Sequence, residues 1–315
     1  MSAEDARAAP GGIDLRAVRR HFARASATYD AAAVLQREVA ARLAARLDVV
    51  KLVPRRLLDA GCGTGDALGE FALRYPQAQR VALDLALPML AGARAKTTAR
   101  RSLAGRLLAP LRSRQGAAVP GFACGDIAAL PFAAASFDLV WSNLALQWVA
   151  DPRQAFAEVL RVLDTGGLFV FTTFGPDTLR ELRAVFAAID GEPHVSRFLD
   201  LHDVGDLLVE AGFADPVMEM ERFTLTYAGA ADFLHDLKAI GATNAASARA
   251  RGLMGRRRWH RALAGLDALR ATAPEGRLPA TYEVVYGHAW KAAATTTADG
   301  RAIVNFVRAP RAGAR

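Results

Sequence analysis

The segment Asp59-Ala60-Gly61-Cys62-Gly63-Thr64-Gly65, directly after the apolar run Arg56-Leu57-Leu58, constrains this chain more than any other feature. Glycines at alternate positions remove the Cβ where the backbone must turn sharply, and they let backbone N–H groups approach a ligand. Residues 66–74 then read as a helix and Arg80-Val81-Ala82-Leu83-Asp84 as a second strand. A β-α-β unit of this kind forces parallel strands joined by a right-handed crossover. The spacing narrows the ligand. A dinucleotide fingerprint, G-x-G-x-x-G, needs a glycine where this chain has Asp66, so a dehydrogenase is disfavoured.

The rest of the chain extends the same pattern. A third strand is expected around Phe122, a fourth at Phe137–Ser142 and a fifth at Leu168–Thr173. Asp151-Pro152 opens a helix, since the aspartate can cap free N–H groups and proline fits the first turn; Gly166-Gly167 are read as its end. Two helices, over 14–25 and 31–47, precede the first strand, the second with Val34, Leu35, Val39, Leu43 and Leu47 near helical spacing. Pro88 to Lys96 reads as helix, and the basic stretch 97–120 as an inserted surface loop. Late strands are expected near 217–227 and 281–288, around a helical segment, 228–272, that sequence alone does not dock. The expected fold class is therefore α/β, a doubly wound, mostly parallel, Rossmann-like sheet with N-terminal helices and an added helical segment. The expected organisation is a disordered start (1–12), a helical cap (13–50), the core (51–227), a helical lid with the final strand of the core (228–290) and a tail (291–315).

Charge enters through its placement. The net charge is +8, and two stretches are strongly basic: seven cations without an acid from Arg94 to Arg114, and six arginines without an acid from Arg249 to Arg261. A weaker cluster comprises Arg16, Arg19, Arg20 and Arg24. Such clusters recruit acidic partners or remain solvated. The start of the chain carries acids and no apolar run, and no segment approaches the length that spans a bilayer, so a cytoplasmic protein without a membrane partner is expected. Cys62 and Cys124 are read as reduced thiols, and no metal is expected, because neither has a zinc-like partner at close spacing.

Asp84 ends the second strand nineteen residues after Gly65, where a carboxylate can accept hydrogen bonds from both hydroxyls of a ribose. Asp126, after the third strand, is placed to accept from an adenine amino group. Through Leu57–Gly65, Asp84, Gly125-Asp126-Ile127 and Phe137-Asp138-Leu139-Val140 the chain resembles the class I S-adenosylmethionine methyltransferases. That resemblance implies S-adenosylmethionine as cofactor, held by Asp59, Gly61, Gly63, Gly65, Asp84, Leu85, Asp126, Ile127 and Asn143. More specific runs, Trp141–Trp148 (W-S-N-L-A-L-Q-W), Pro193–Leu199 (P-H-V-S-R-F-L), Phe22–Gln36 and Leu237–Thr243, are similar to the malonyl-acyl-carrier-protein O-methyltransferases of biotin synthesis over roughly residues 15–290. The likeness implies methyl transfer to the free carboxylate of a malonyl thioester on acyl carrier protein or CoA, with the acidic carrier docking on the arginine clusters. An arginine fork suits carboxylate selection, which nominates Arg197 with His194. Tyr29 is expected near the cofactor or the substrate, and Asn143 and Gln147 at the carboxyl edge of the sheet. Phe174–Leu182 and Leu278–Tyr282 also resemble a complex I assembly factor of the same fold, understood to hydroxylate a protein arginine, so that branch and other small-molecule methyltransferases stay open. A nucleic-acid methyltransferase is disfavoured, since Ser142-Asn143-Leu144-Ala145 stands where an Asn/Asp-Pro-Pro-Tyr-type motif would follow the fourth strand.

Overall fold

The structure, a computed structural model, describes residues 12–108, 119–250, 252 and 254–293, with side chains undescribed from 100 to 108. The expectations for 1–11, 109–118 and 294–315 lie outside the described residues.

Seven strands form one sheet: β1 (Arg56–Ala60), β2 (Gln79–Asp84), β3 (Gly121–Cys124), β4 (Phe137–Ser142), β5 (Leu163–Phe174), β6 (Ala214–Tyr227) and β7 (Leu278–Trp290), in the order β3-β2-β1-β4-β5-β7-β6. β1 to β5 are parallel, and β7 runs antiparallel to both β5 and β6. The helices are α1 (Leu15–Ala25), α2 (Tyr29–Ala32), α3 (Val34–Arg46), α4 (Ala67–Arg74), α5 (Leu87–Leu108), α6 (Pro152–Val162), α7 (Arg180–Ala187), α8 (Leu201–Ala211), α9 (Ala230–Ala239) and α10 (Arg256–Ala268). None of the described helices is long and apolar enough to cross a membrane.

The central strands read as apolar runs because both sheet faces are covered. Successive residues alternate between two cores. Leu57, Leu139, Leu168 and Val170 face one with α3, α7, α9 and α10, while Leu58, Val140, Phe169 and Phe171 face the other with α6 and α8. Strand order reverses between β1 and β4, whose carboxyl ends therefore open a crevice.

Three local expectations are corrected. The helix after β2 does not stop at Lys96 but runs on to Leu108 through the stretch read as a loop. The Thr97 and Thr98 hydroxyls bond back to the carbonyls of Ala93 and Arg94, both at 2.9 Å, so they do not break it. Asp151 caps α6 as expected, but the helix ends at Val162; Gly166-Gly167 lie inside β5, where the register against β4 shifts and Gly166 has φ +76°. The helix expected over 31–47 is two, α2 and α3, and Val34 is exposed while Leu35, Val39, Leu43 and Leu47 are buried.

Candidate active site

The glycine loop leaves β1 at the crevice. Gly61 and Cys62 donate backbone hydrogen bonds to the Leu83 carbonyl at 2.8 and 2.9 Å, which ties the loop to β2. Gly61, Gly63 and Gly65 all have positive φ. Their missing Cβ atoms do different work: at Gly61 one would stand 2.3 Å from Ala145 Cβ and at Gly65 2.7 Å from Ala93 Cβ, whereas at Gly63 it meets only the Tyr29 ring, at 3.7 Å. Gly63 N–H donates to Asp84 Oδ2 at 2.9 Å and Ala86 N–H to Asp84 Oδ1 at 2.8 Å. Burial pushes the Asp84 carboxyl up from the usual range while those two bonds pull it down.

One cleft, about 610 Å³ out to its open mouth, is lined by Gly61, Gly63, Asp84, Leu85, Asp126, Ile127 and Asn143, with Leu15, Val18, Phe22 and Tyr29 of the cap closing it. Seven of the nine expected cofactor residues thus share a wall. Gly65 does not reach it; its place is fixed by close packing on α5. Asp59 lines an adjoining recess with Tyr29, Gln36, Gly61, Trp141 and Asn143. It is 2% exposed, its Oδ2 has no hydrogen-bond partner, and burial, with the charges of Asp84 and Asp66, pushes its carboxyl up to about 8.

A second cavity, about 700 Å³, shares Tyr29, Phe22, Leu144 and Trp148 with the cleft, so these four residues form the junction. Phe22 and Trp148 meet edge to face at 5.4 Å. Leu144 holds φ +47°, a strained value for a branched residue, and is 7% exposed. Its N–H donates to Thr172 Oγ1 at 2.9 Å, and that hydroxyl donates to Asn143 Oδ1 at 2.8 Å. Asn143 Nδ2 donates to the Gln36 carbonyl at 3.0 Å. Asn143 is thereby locked, and it ties the end of β4 to α3. Gln147 Nε2 donates to the Leu144 carbonyl at 2.7 Å, leaving a buried Oε1 unpartnered on the wall of the second cavity.

Further out, this cavity is lined by Thr178, His194, Ser196, Thr243, Asn244 and Tyr282 among apolar side chains. His194 stacks on Phe186 with ring centroids 4.0 Å apart, and its Nε2 lies 2.9 Å from Asp190 Oδ1. Of the expected substrate residues, Tyr29, Gln147 and His194 line this cavity, Asn143 lines the first cleft, and Arg197 is exposed and lines neither. Phe198, packed on Phe174 at 5.7 Å, turns inward and leaves Arg197 facing outward. Thr178, Thr243 and Tyr282 were not singled out from sequence. Each nevertheless lies in a run that carries a resemblance, Phe174–Leu182, Leu237–Thr243 or Leu278–Tyr282, and the Thr178 hydroxyl donates to the Glu283 carbonyl and accepts from the Glu283 N–H on β7.

A methyltransferase-domain family profile matches residues 58–171. The malonyl-acyl-carrier-protein O-methyltransferase of Laribacter hongkongensis is 53% identical, covering 93% of this chain and 96% of its own length. That of Gallionella capsiferriformans is 50% identical, over 93% and 96%. Among solved structures, the YcgJ protein of Bacillus subtilis superposes with a TM-score of 0.55 at 17% identity, covering 80% of this chain and 98% of its own, a likeness of fold alone. With relatives this similar along nearly its whole length, the chain belongs to the malonyl-acyl-carrier-protein O-methyltransferase family.

Proposed function

We propose that the chain methylates the free carboxylate of a malonyl thioester on acyl carrier protein, an early step of biotin synthesis, using S-adenosylmethionine. The observation that carries this reading is the pair of cavities: a cleft walled by Gly61, Gly63, Asp84 and Asp126 and a second, partly apolar one, meeting at Tyr29 and Leu144. When bound, the cofactor supplies an electrophilic methyl group on a sulfonium. Asp84 has unused lone pairs for the ribose hydroxyls, and Gly63 presents a bare backbone. The unpartnered, buried Asp59 Oδ2 fits a cationic amino group, which would favour the ionised carboxylate there.

The attacking carboxylate is already ionised near neutral pH, so the transfer needs no general base, only alignment of oxygen, methyl and sulfur with water excluded. In this reading His194 and the Ser196 and Thr243 hydroxyls receive the acyl end, and Asn143 and Gln147 hold the junction wall. Arg197 steers at the rim rather than clamping the reacting group. The acidic carrier docks on exposed arginines, and the 4.0 Å approach of Arg258 to Asp190, the partner of His194, supports the cluster Arg256, Arg257 and Arg258 as that surface.

The test is transfer of label from S-adenosylmethionine to malonyl- or acetyl-carrier protein. A base-labile methyl ester on the malonyl form alone is the expected result. Absence of transfer to the malonyl form, with the cofactor demonstrably bound, would overturn the reading.

A further inference from the structure

Lys96 belongs by sequence to the basic stretch 94–114, but the structure turns its ammonium group inward. From α5 its Nζ reaches Asp30 Oδ1 at 2.7 Å, Asp66 Oδ1 at 2.7 Å and Thr64 Oγ1 at 2.9 Å. An ammonium has three protons to donate, and all three are used. Thr64 Oγ1 then donates to the same Asp30 oxygen at 2.5 Å. One cation thus gathers three separate pieces of chain: α2 of the cap, the glycine loop with the start of α4, and α5.

These pieces differ in how firmly they are otherwise held. Thr64 is 3% exposed and packs on α5, where a Cβ at Gly92 would stand 3.5 Å from its Cγ2, so loop and α5 move together. The turn α2 is only four residues long and has no side-chain cap. Its other ties include Thr28 Oγ1 to the Ala239 carbonyl at 2.8 Å, Arg37 Nη1 to the Asp30 carbonyl at 2.6 Å and the packing of Tyr29 against Ala25, Ala86 and Met89. Tyr29 sits on this turn, next to Asp30, and faces Gly63, the cleft and the second cavity at once.

We infer that Lys96 is a positioning residue for methyl transfer: by pinning Asp30 to the glycine loop it fixes the Tyr29 ring at the junction through which the methyl group passes. The inference rests on the reaction proposed above. The three ionic side chains are between a quarter and a half exposed, so their pairing contributes little to global stability. Alignment is a different matter, since a displacement near 1 Å at a reacting centre costs on the order of 100-fold in rate.

The test compares Lys96→Met, Lys96→Arg, Tyr29→Ala and the double variant Lys96→Met/Tyr29→Ala, measuring kcat and KM for malonyl-carrier protein. The expected result is a kcat at least about 10-fold lower in Lys96→Met, a KM within about 3-fold of wild type and partial recovery in Lys96→Arg. The double variant should be no slower than Tyr29→Ala alone, because once the ring is gone nothing remains to be positioned. Wild-type kcat in Lys96→Met or in Tyr29→Ala overturns the inference. So do losses that multiply in the double variant, as they would if Lys96 merely kept the chain folded. Failure of the wild-type protein to esterify malonyl-carrier protein would instead remove the reaction itself.

Discussion

Replacing each of three left-handed glycines with alanine separates backbone strain from collision and from ligand approach. Gly166 has φ +76° and nothing within 4 Å of its would-be Cβ, so Gly166→Ala carries strain alone. A left-handed L-residue costs roughly 1–2 kcal/mol, offset by about 0.4–1 kcal/mol of lost unfolded-state freedom, for a net near 1 kcal/mol. Gly61→Ala at φ +83° adds a Cβ 2.3 Å from Ala145 Cβ. Carbon atoms settle at about 3.5–4.0 Å, so the loop or β4's exit must shift by more than ~1 Å, at an overpacking cost of about 1–3 kcal/mol. Gly63→Ala at φ +53° meets only the Tyr29 ring at 3.7 Å, an ordinary contact, and should lose no more stability than Gly166→Ala. The assay is urea unfolding of each variant, alone and with S-adenosylhomocysteine at about 100 times the wild-type Kd, which should stabilise wild type and Gly166→Ala by about 2.7 kcal/mol. Gly61→Ala is expected to be the least stable without ligand, and Gly63→Ala to gain least from it. A Gly61→Ala as stable as Gly166→Ala refutes the collision argument, and a full ligand gain in Gly63→Ala refutes the assignment of that backbone to the ligand.

Asp59 gives a pH signature. Its folded pKa, about 8, lies above its unfolded value, so the folded state binds more protons between pH ~4 and ~8 and the ligand-free protein loses stability as pH rises through that window. Asp59→Asn should flatten the slope in pH-dependent unfolding; an unchanged slope would dismiss Asp59 as its source. Charge reversal at Arg256, Arg257 and Arg258 should slow turnover of malonyl-carrier protein at low salt while sparing malonyl-CoA, and equal losses on both substrates would sink the docking idea. Phe71, fully buried and edge-to-face with Trp141 at 5.1 Å, should cost about 3–5 kcal/mol as Phe71→Ala, and a loss below ~1 kcal/mol by chemical denaturation would contradict the packing seen there.

Much of this arrangement was legible because the central strands and their exits are specified locally. A buried parallel strand needs an unbroken apolar run, and its turn needs glycines or acids at fixed offsets, so Gly61, Gly63, Asp84, Asp126 and Asn143 could be placed at one sheet edge before any coordinates. The full extent of α5 was missed because threonines and arginines blur an apolar stripe. The second cavity was legible only in part, through the resemblance that nominated Tyr29, His194 and Gln147. Thr178, Thr243 and Tyr282 join them through the packing of α7, α9 and β7, and nothing in the spacing of distant segments reports that. Lys96 shows the same limit at one side chain: its stretch of sequence reads only as a run of cations, and its partners lie some 30 and 66 residues away.

The outward position of Arg197 fits the chemistry better than the clamp expected from sequence. Among the described residues lining the second cavity there is no lysine or arginine, and His194 is already engaged by Asp190. A guanidinium gripping both carboxylate oxygens would stabilise the anion most in the ground state, before its charge is shared with the methyl group, and so would raise the barrier to transfer. In the proposed reading, hydroxyls and an anchored imidazole would hold the acyl end more weakly but leave an oxygen free to attack. Long-range attraction can then come from cations outside the cavity, such as Arg197 and the start of α10, where they speed encounter without quenching the nucleophile. Separating attraction at the rim from alignment at the junction is what a site needs when its substrate arrives charged and leaves neutral.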